Sequence, residues 1–396
     1  MPDRNCKDGW ISTYLRHTAG VESPEVFHFW SAISAIACAM GRSTWVDFGF
    51  REIHPNMYVV LVGPSGRVRK TSASDIAMDL LRVAVPALDV LEGKATMPGI
   101  IKRMSETYKL TGDSRIVLYA GELKVLLGGT MSNSSMLEDL TELYAGKSKF
   151  KYITKGEGEV ILNRVSINLL GASTPEWLTT ARGSDFVASG FSARILYIYR
   201  DEPERRFYRA TRGNGWEGTE SDLIADLRHI SELAGPFIVE PEAEVLWEKW
   251  YNNKSNFEFD DERFGPYMER KDKHMLKIAM VLRAGKDDSM VVTADDMRGA
   301  MLALNQIEAG MSDVYKSVSE HEVGRLVDRV IKQVAMEKDG VSRRDILRKN
   351  YFRTTDAGLS EVLKTCVASG KLRMEFVKRG TKTTEWYRIN VEDEFV

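Results

Sequence analysis

The sequence predicts an α/β chain. It reads as a mostly parallel sheet with helices on its faces, helical extensions before and after it, and a small basic unit at the C-terminal end. Three observations carry this. Four apolar runs, Tyr58–Val62, Ile116–Tyr119, Val165–Leu170 and Ile195–Tyr199, are continuous rather than alternating, as in strands buried on both faces, and helical patterns separate them. Lys70, Glu122, Ser173 and Thr174 follow the first three runs, and parallel sheets bind ligands outside the carboxyl ends of their strands. From about residue 320 the order becomes helix, helix, helix and hairpin, with Lys and Arg clustered in it.

The elements follow in order. Trp10–Gly41 is expected to be helical, with Ser23-Pro24-Glu25 as a helix start and Phe27, Trp30, Ile33, Ile36 and Met40 at helical spacing as core residues. Thr44–Phe50 reads as a short strand. The Tyr58–Val62 strand leads through a Gly-Pro turn into a helix reaching about Val85, and Thr96–Lys109 is a further helix. Ser135–Tyr144 is amphipathic, and Phe150–Ile161 is a strand pair turning at Gly156-Glu157-Gly158. Loops are expected over Asp201–Trp216 and Asn256–Gly265, and helices over Ser221–Leu233, Pro241–Lys254, Met268–Ala284 and Ala294–Tyr315. Helices at Val323–Lys338, Ser342–Asn350 and Thr355–Ser369 precede strands at Leu372–Lys378 and Thr384–Ile389. The expected division is a helical N-terminal region (1–50), a core (51–236), a helical extension (237–320) and a C-terminal winged-helix domain (321–396).

Composition narrows the classes. The chain has 396 residues, 43% hydrophobic and 28% charged, with a net charge of −2, so any basic surface must be local. No apolar run approaches the ~20 residues of a membrane span, and the first residues lack the apolar core of a signal peptide. A cytoplasmic protein is expected. Cys6, Cys38 and Cys366 fit neither a zinc spacing nor a disulfide framework, and are read as plain thiols.

The chemistry concentrates in Met57–Ala73, MYVVLVGPSGRVRKTSA. Strand, glycine-rich turn, Lys-Thr and helix are the parts of a P-loop, in which backbone N–H groups and the helix N-terminus cradle phosphates. Gly63, Pro64, Ser65, Gly66, Arg69, Lys70, Thr71 and Ser72 are the candidate nucleotide-binding residues, with Lys70 supplying charge and Thr71 reaching Mg2+. The usual pattern has five residues between the first Gly and the Lys; six lie between Gly63 and Lys70, and Arg69 replaces the Gly before the Lys. A Gly-Pro turn before a basic helix is the competing reading. Glu122 stands where such ATPases carry an acid that orients the attacking water or holds Mg2+ through water, although Gly121 occupies the place of the usual preceding Asp; a helix-capping Glu is the alternative. Ser173 and Thr174 fit a sensor of the γ-phosphate, or an N-cap before Pro175-Glu176. Arg194, on the loop entering the fourth strand, is a candidate arginine finger on the ligand edge. Arg270, His274 and Lys277 share one helix face, which reads as solvated, with contact to phosphate or nucleic acid as the alternative.

In the C-terminal unit, Arg343, Arg344, Arg348, Lys349 and Arg353 cluster at the second helix, and Lys378, Arg379, Lys382 and Arg388 decorate the hairpin. Such a local basic surface is the footprint of phosphate-backbone binding; a protein-interaction module is the alternative.

The stretches HPNMYVVLVGPSGRVRKTSA, IVLYAGELKVLLGG, MLEDLTELYAGKSKFKYITKGEGEVIL, INLLGASTPEWL and GFSARILYIYRDE together resemble a phage and prophage family of P-loop replication ATPases associated with helicases or primases. The resemblance covers about Trp10 to Arg283. It implies a RecA-like core using ATP and Mg2+, with Lys70 and Thr71 on the triphosphate, Glu122 as the catalytic acid, Ser173 or Thr174 as sensor and Arg194 as a finger in a neighbouring subunit. The function this implies is an ATP-driven motor on single-stranded or forked DNA, a homo-oligomeric ring such as a hexameric helicase, working beside other replication proteins. Rival readings are a helicase loader or recombination mediator that uses ATP as a switch, and a DNA-binding scaffold whose P-loop no longer turns over.

Overall fold

In the computed structural model, residues 4–127, 134–154, 158–178, 190–208, 218–258, 264–337, 339–351, 354–379 and 382–390 are described. The turn expected at Gly156-Glu157, Arg353, the hairpin residues Gly380 and Thr381, and parts of both expected loops lie outside them. The chain forms two compact units, Met1–Val314 and Tyr315–Val396.

The first unit contains strands β1 (Thr44–Asp47), β2 (Glu52–Ile53), β3 (Tyr58–Val62), β4 (Val90–Glu92), β5 (Arg115–Ala120), β6 (Lys149–Thr154), β7 (Gly158–Asn163), β8 (Ser166–Ser173), β9 (Ile195–Tyr199), β10 (Gly235–Val239) and β11 (Val291–Val292). Its central sheet has five strands in the order β4-β5-β8-β3-β9, all parallel. β3 and β8 are buried along their whole length, which is why their sequences run apolar without alternation. The helix Glu25–Met40 has thirteen buried residues out of 16 and packs on the helix Lys70–Ala84. A helix buried nearly all round must be apolar nearly all round, and FHFWSAISAIACAM is. The expected continuous helix over Trp10–Gly41 is two, Trp10–His17 and Glu25–Met40, separated at Gly20 and Pro24.

A second sheet, β11-β10-β1-β2, was not expected. β10 and β11 come from the segment read as a helical extension, and β10 pairs parallel with β1 from the N-terminal region. The N-terminus is tied to the same segment and to the core: Trp10 N–H donates to the Gly285 carbonyl at 2.7 Å, and Asp226, before that segment, accepts from the backbone of Asn5 and Cys6. β6 and β7 form a separate hairpin.

The helices expected at Ala294–Tyr315 and Val323–Lys338 are one helix, Ala294–Ala335, of 42 residues. No proline interrupts it, so a change in side-chain character at 320 does not break the backbone. In the second unit, the helices Arg343–Asn350 and Asp356–Ala368 precede a hairpin of β13 (Leu372–Arg379) and β14 (Lys382–Ile389), and the short β12 (Val341–Ser342) adds to β14. Val330, Val334, Ile346, Leu359, Leu363, Cys366, Leu372 and Tyr387 form its core. Cys6 and Cys38 are buried in the first unit and Cys366 in the second. Among the described residues, no helix is long and apolar enough to cross a membrane.

Candidate functional site

Parallel pairing brings the carboxyl ends of four strands together: Val62 lies level with Ser173 and Tyr199, and Ala120 with Gly171. The Gly63–Arg69 turn leaves this edge. At Gly63 a Cβ would stand 2.3 Å from the Arg200 carbonyl oxygen and 2.6 Å from Val68, so no side chain fits. Val68 is buried and anchors the turn from below. Gly66 and Arg69 are both left-handed, Arg69 with φ 48° and ψ 41°. Arg69 thus adopts the conformation that the usual Gly before the Lys supplies, at a cost of about 1–2 kcal/mol for a side-chain-bearing residue. The turn is braced: Ser23 donates to the Arg69 carbonyl at 2.8 Å, and Glu22 meets Arg69 Nε at 3.2 Å while accepting from Phe207 N–H.

Lys70 opens a 15-residue helix whose free N–H groups face the edge. Its Nζ donates to the Gly63 and Pro64 carbonyls at 2.5 and 3.1 Å. Burial pushes the ammonium below its ordinary range, and the carboxylates of Glu176 and then Glu122 oppose that shift. Thr71 and Ser72 are exposed, and Thr71 Cγ2 lies 3.5 Å from where a Gly121 Cβ would stand. A side chain at Gly121 would therefore make only ordinary contact there, and the end of β5 lies beside the helix start. Glu122 is exposed and paired with Lys124 at 2.9 Å. The helix is held to β5 through Tyr119, whose hydroxyl meets Ser74 at 2.9 Å and donates to Asp75 at 2.5 Å.

Ser173 ends β8, between the strands of Lys70 and Glu122, and is buried. Thr174 accepts from Trp177 N–H through both its hydroxyl and its carbonyl, so it caps the turn that follows, one of the two readings of its sequence. The residue types at this edge suit a hydrated Mg2+: Thr71 and Glu122 are both exposed, and a hydroxyl and a carboxylate would hold such an ion, the carboxylate through water. Among the described residues, no group of three or more His, Cys, Asp and Glu side chains could hold a metal by itself.

Arg194 does not belong to this edge. β9 runs parallel to β3, with Ile195 level with Tyr58 and Tyr199 level with Val62. Arg194 precedes β9, so it stands where the strands begin, roughly 15 Å of strand from Lys70. Its guanidinium donates to the Gly190 carbonyl and lies 5.8 Å from the Tyr144 ring centre. Nearness to a strand in sequence does not say at which end a residue stands. At the other end of β9 is Arg200, which donates its backbone N–H to the Val62 carbonyl and whose own carbonyl crowds Gly63. Glu176 was missed as well; its place after Ser173-Thr174-Pro175 was the available signal, read only as a helix start.

The solvated face expected for Arg270, His274 and Lys277 is also overturned. His274 and Lys277 are buried and Arg270 is half-buried, because the helix Lys271–Ala284 has twelve buried residues out of 14.

In the second unit the basic residues divide. Arg343 is engaged internally, at 2.7 Å from both Asp356 and Ser360, and Asp356 raises its pKa. Arg388 faces Glu375 at 3.4 Å, and Arg348 faces Asp345 at 3.3 Å while staying largely exposed. Arg344, Lys349 and Lys378 are exposed. Arg379 and Lys382 pair across the hairpin end, and their side chains lie outside the described residues. No family model matches the chain, and no curated protein matches it.

Proposed function

We propose that the chain is an ATP-dependent motor acting on DNA, built on a RecA-like P-loop core with a C-terminal winged helix. The observation that carries this reading is the convergence of Lys70, Thr71, Glu122 and Ser173 on the carboxyl edge of one parallel sheet, beside a turn whose Gly63 admits no side chain. The N–H groups at the start of the helix Lys70–Ala84 receive phosphate oxygens, and Lys70 swings from the turn carbonyls onto the terminal phosphates. Mg2+, when bound, neutralises charge on those phosphates. Thr71 holds its place, Ser173 contacts the γ-phosphate, and Glu122 or Glu176 orients the water that attacks in line. Arg344, Arg348, Lys349 and Lys378 supply contacts to the DNA backbone.

The helicase reading includes assembly into a homo-oligomeric ring such as a hexamer, on single-stranded or forked DNA in the cytoplasm, with other replication proteins as partners. A loader that uses ATP as a switch is the second reading. The Lys124 partner of Glu122 and the missing acid at Gly121 favour it, since both weaken water activation.

Turnover of ATP with and without single-stranded DNA tests the proposal, with wild type compared to Lys70→Ala. Wild type should hydrolyse ATP faster with DNA, and Lys70→Ala should lose at least about 100-fold in rate with its fold intact, because Lys70 stands half-exposed at the first position of its helix. ATP affinity unchanged in Lys70→Ala would remove the P-loop assignment. Binding without turnover in wild type would select the switch.

A further inference from the structure

The opposite edge of the central sheet, where the strands begin, gathers cations of its own. Arg194 comes from the turn before β9, and Arg270 and Lys277 from the start and middle of the helix Lys271–Ala284; Arg194 and Lys277 lie over the ring of Tyr144, at the end of the helix Ser134–Tyr144, and the charge of Arg270 acts on the same side chain. Lys277 Nζ sits 4.1 Å from the Tyr144 ring centre and donates to the carbonyl and side-chain oxygens of Asn56 at 2.6 and 3.0 Å.

Among the described residues, none of the three cations meets a carboxylate within ion-pair distance. Glu142, whose charge acts on Arg194, is paired with Lys147. A buried ammonium beside two half-buried guanidinium groups, with no counter-ion, is costly, and cation–π contact offsets only part of that. Two further groups are left over. Among the described residues, the Tyr144 hydroxyl and Nδ1 of His274 are buried without a hydrogen-bond partner, and the charges of Arg194 and Arg270 act on both side chains. Burial also drives Lys277 well below the ordinary ammonium range, and Arg194 and Lys273 push it further the same way.

We propose that Arg194, Arg270, Lys277 and the Tyr144 hydroxyl form a binding site for a phosphate group, separate from the Lys70 edge. A tetrahedral oxyanion has enough acceptor positions for two guanidinium groups, an ammonium and a phenol, and its charge supplies what the protein omits. The phosphate is either a free phosphate or a phosphodiester of a nucleic-acid strand.

The test uses the full chain carrying Lys70→Ala, so that phosphate taken up by the P-loop does not contribute. Thermal unfolding is followed against inorganic phosphate at constant ionic strength, and against a short single-stranded oligonucleotide. A saturable rise of roughly 2–4 °C is expected, and it should vanish when Arg194→Gln or Lys277→Met is added. Lys277→Met replaces a buried charge with an apolar chain of similar length, so it should fold, and Arg194→Gln gives an independent reading. A rise with phosphate alone assigns free phosphate. A rise with the oligonucleotide that inorganic phosphate competes away assigns a strand phosphodiester. If neither ligand gives a saturable rise that the substitutions remove, the site is overturned; the part of an oligonucleotide rise that survives them belongs to Arg344, Arg348, Lys349 and Lys378. Because Lys70 is absent throughout, failure here leaves the ATP reading untouched, and failure of that reading leaves this one standing.

Discussion

Lys70 and Lys277 mark opposite edges of the same sheet, and both ammonium groups donate to backbone carbonyls. Lys70 is half-buried at the first position of its helix, with the carboxylates of Glu176 and Glu122 within electrostatic reach. Lys277 is buried, held by Asn56 over the Tyr144 ring, and its charged neighbours, Arg194 and Lys273, share its sign. The first edge is open and balanced in charge; at the second, bordered by the half-buried Arg194 and Arg270, the ammonium is closed off and unbalanced. A charged residue at the open edge can be changed with little effect on folding, whereas the closed edge couples its charge to the stability of the whole unit.

Acid should expose that coupling first. Burial lowers His54 and His28 to about 4 and His274 to about 3, from an ordinary value of 6.5. His54 and His274 both feel Lys277. In the folded protein these rings stay neutral while the unfolded chain takes up protons below pH 6.5, so the unfolded state binds more protons and stability falls as pH falls. At 1.36 kcal/mol per unit, each ring removes roughly 2 kcal/mol between pH 6.5 and about pH 5. Urea unfolding across that window should show the loss, and His274→Gln or His54→Gln should each flatten the slope. Stability that stays level to pH 5 would mean that the closed edge accepts protons, and the contrast with the Lys70 edge would disappear.

The open edge has one rigid point. Gly63→Ala should destabilise the first unit by about 3 kcal/mol, since the added methyl meets backbone at the Arg200 carbonyl rather than a yielding side chain. It should also weaken nucleotide binding by more than the stability loss explains. A well-folded Gly63→Ala protein with wild-type ATP affinity would show that the turn is not a phosphate cradle. The smallest expected effect is at Arg69. Arg69→Gly removes the strain of a left-handed side-chain-bearing residue and loses only an exposed pair with Glu22, so unfolding should require about 0.5–1 kcal/mol more. A destabilised Arg69→Gly would assign more weight to the Glu22 brace than its exposure suggests.

These residues also show what the sequence made legible. The strands β3, β5, β8 and β9 could be read because burial on both faces leaves a continuous apolar run. β4, β10 and β11 could not: they have three, five and two residues, β10 contains Pro236, and their pairing with distant strands carries no local signal. Lys70, Glu122 and Ser173 were placed on one edge because a residue after a strand stands at its carboxyl end. Arg194 was misplaced because it comes before its strand. Lys277 was misread from the charge spacing of Arg270, His274 and Lys277, although Leu276, Ile278, Ala279, Met280 and Val281 around it already describe a helix apolar on every side. A three-residue charge pattern is weaker than the run that contains it.

The three thiols have a practical consequence. Cys6 and Cys38 are shut into the first unit and Cys366 into the core of the second, and burial raises the pKa of Cys6 to about 12 and lifts Cys38 as well. A sulfur in that state reacts with an alkylating reagent only when its surroundings open. Labelling rates at separate peptides therefore time the opening of each unit independently in the intact chain. A ligand that slows labelling at Cys6 and Cys38 without changing Cys366 is one that tightens the first unit alone.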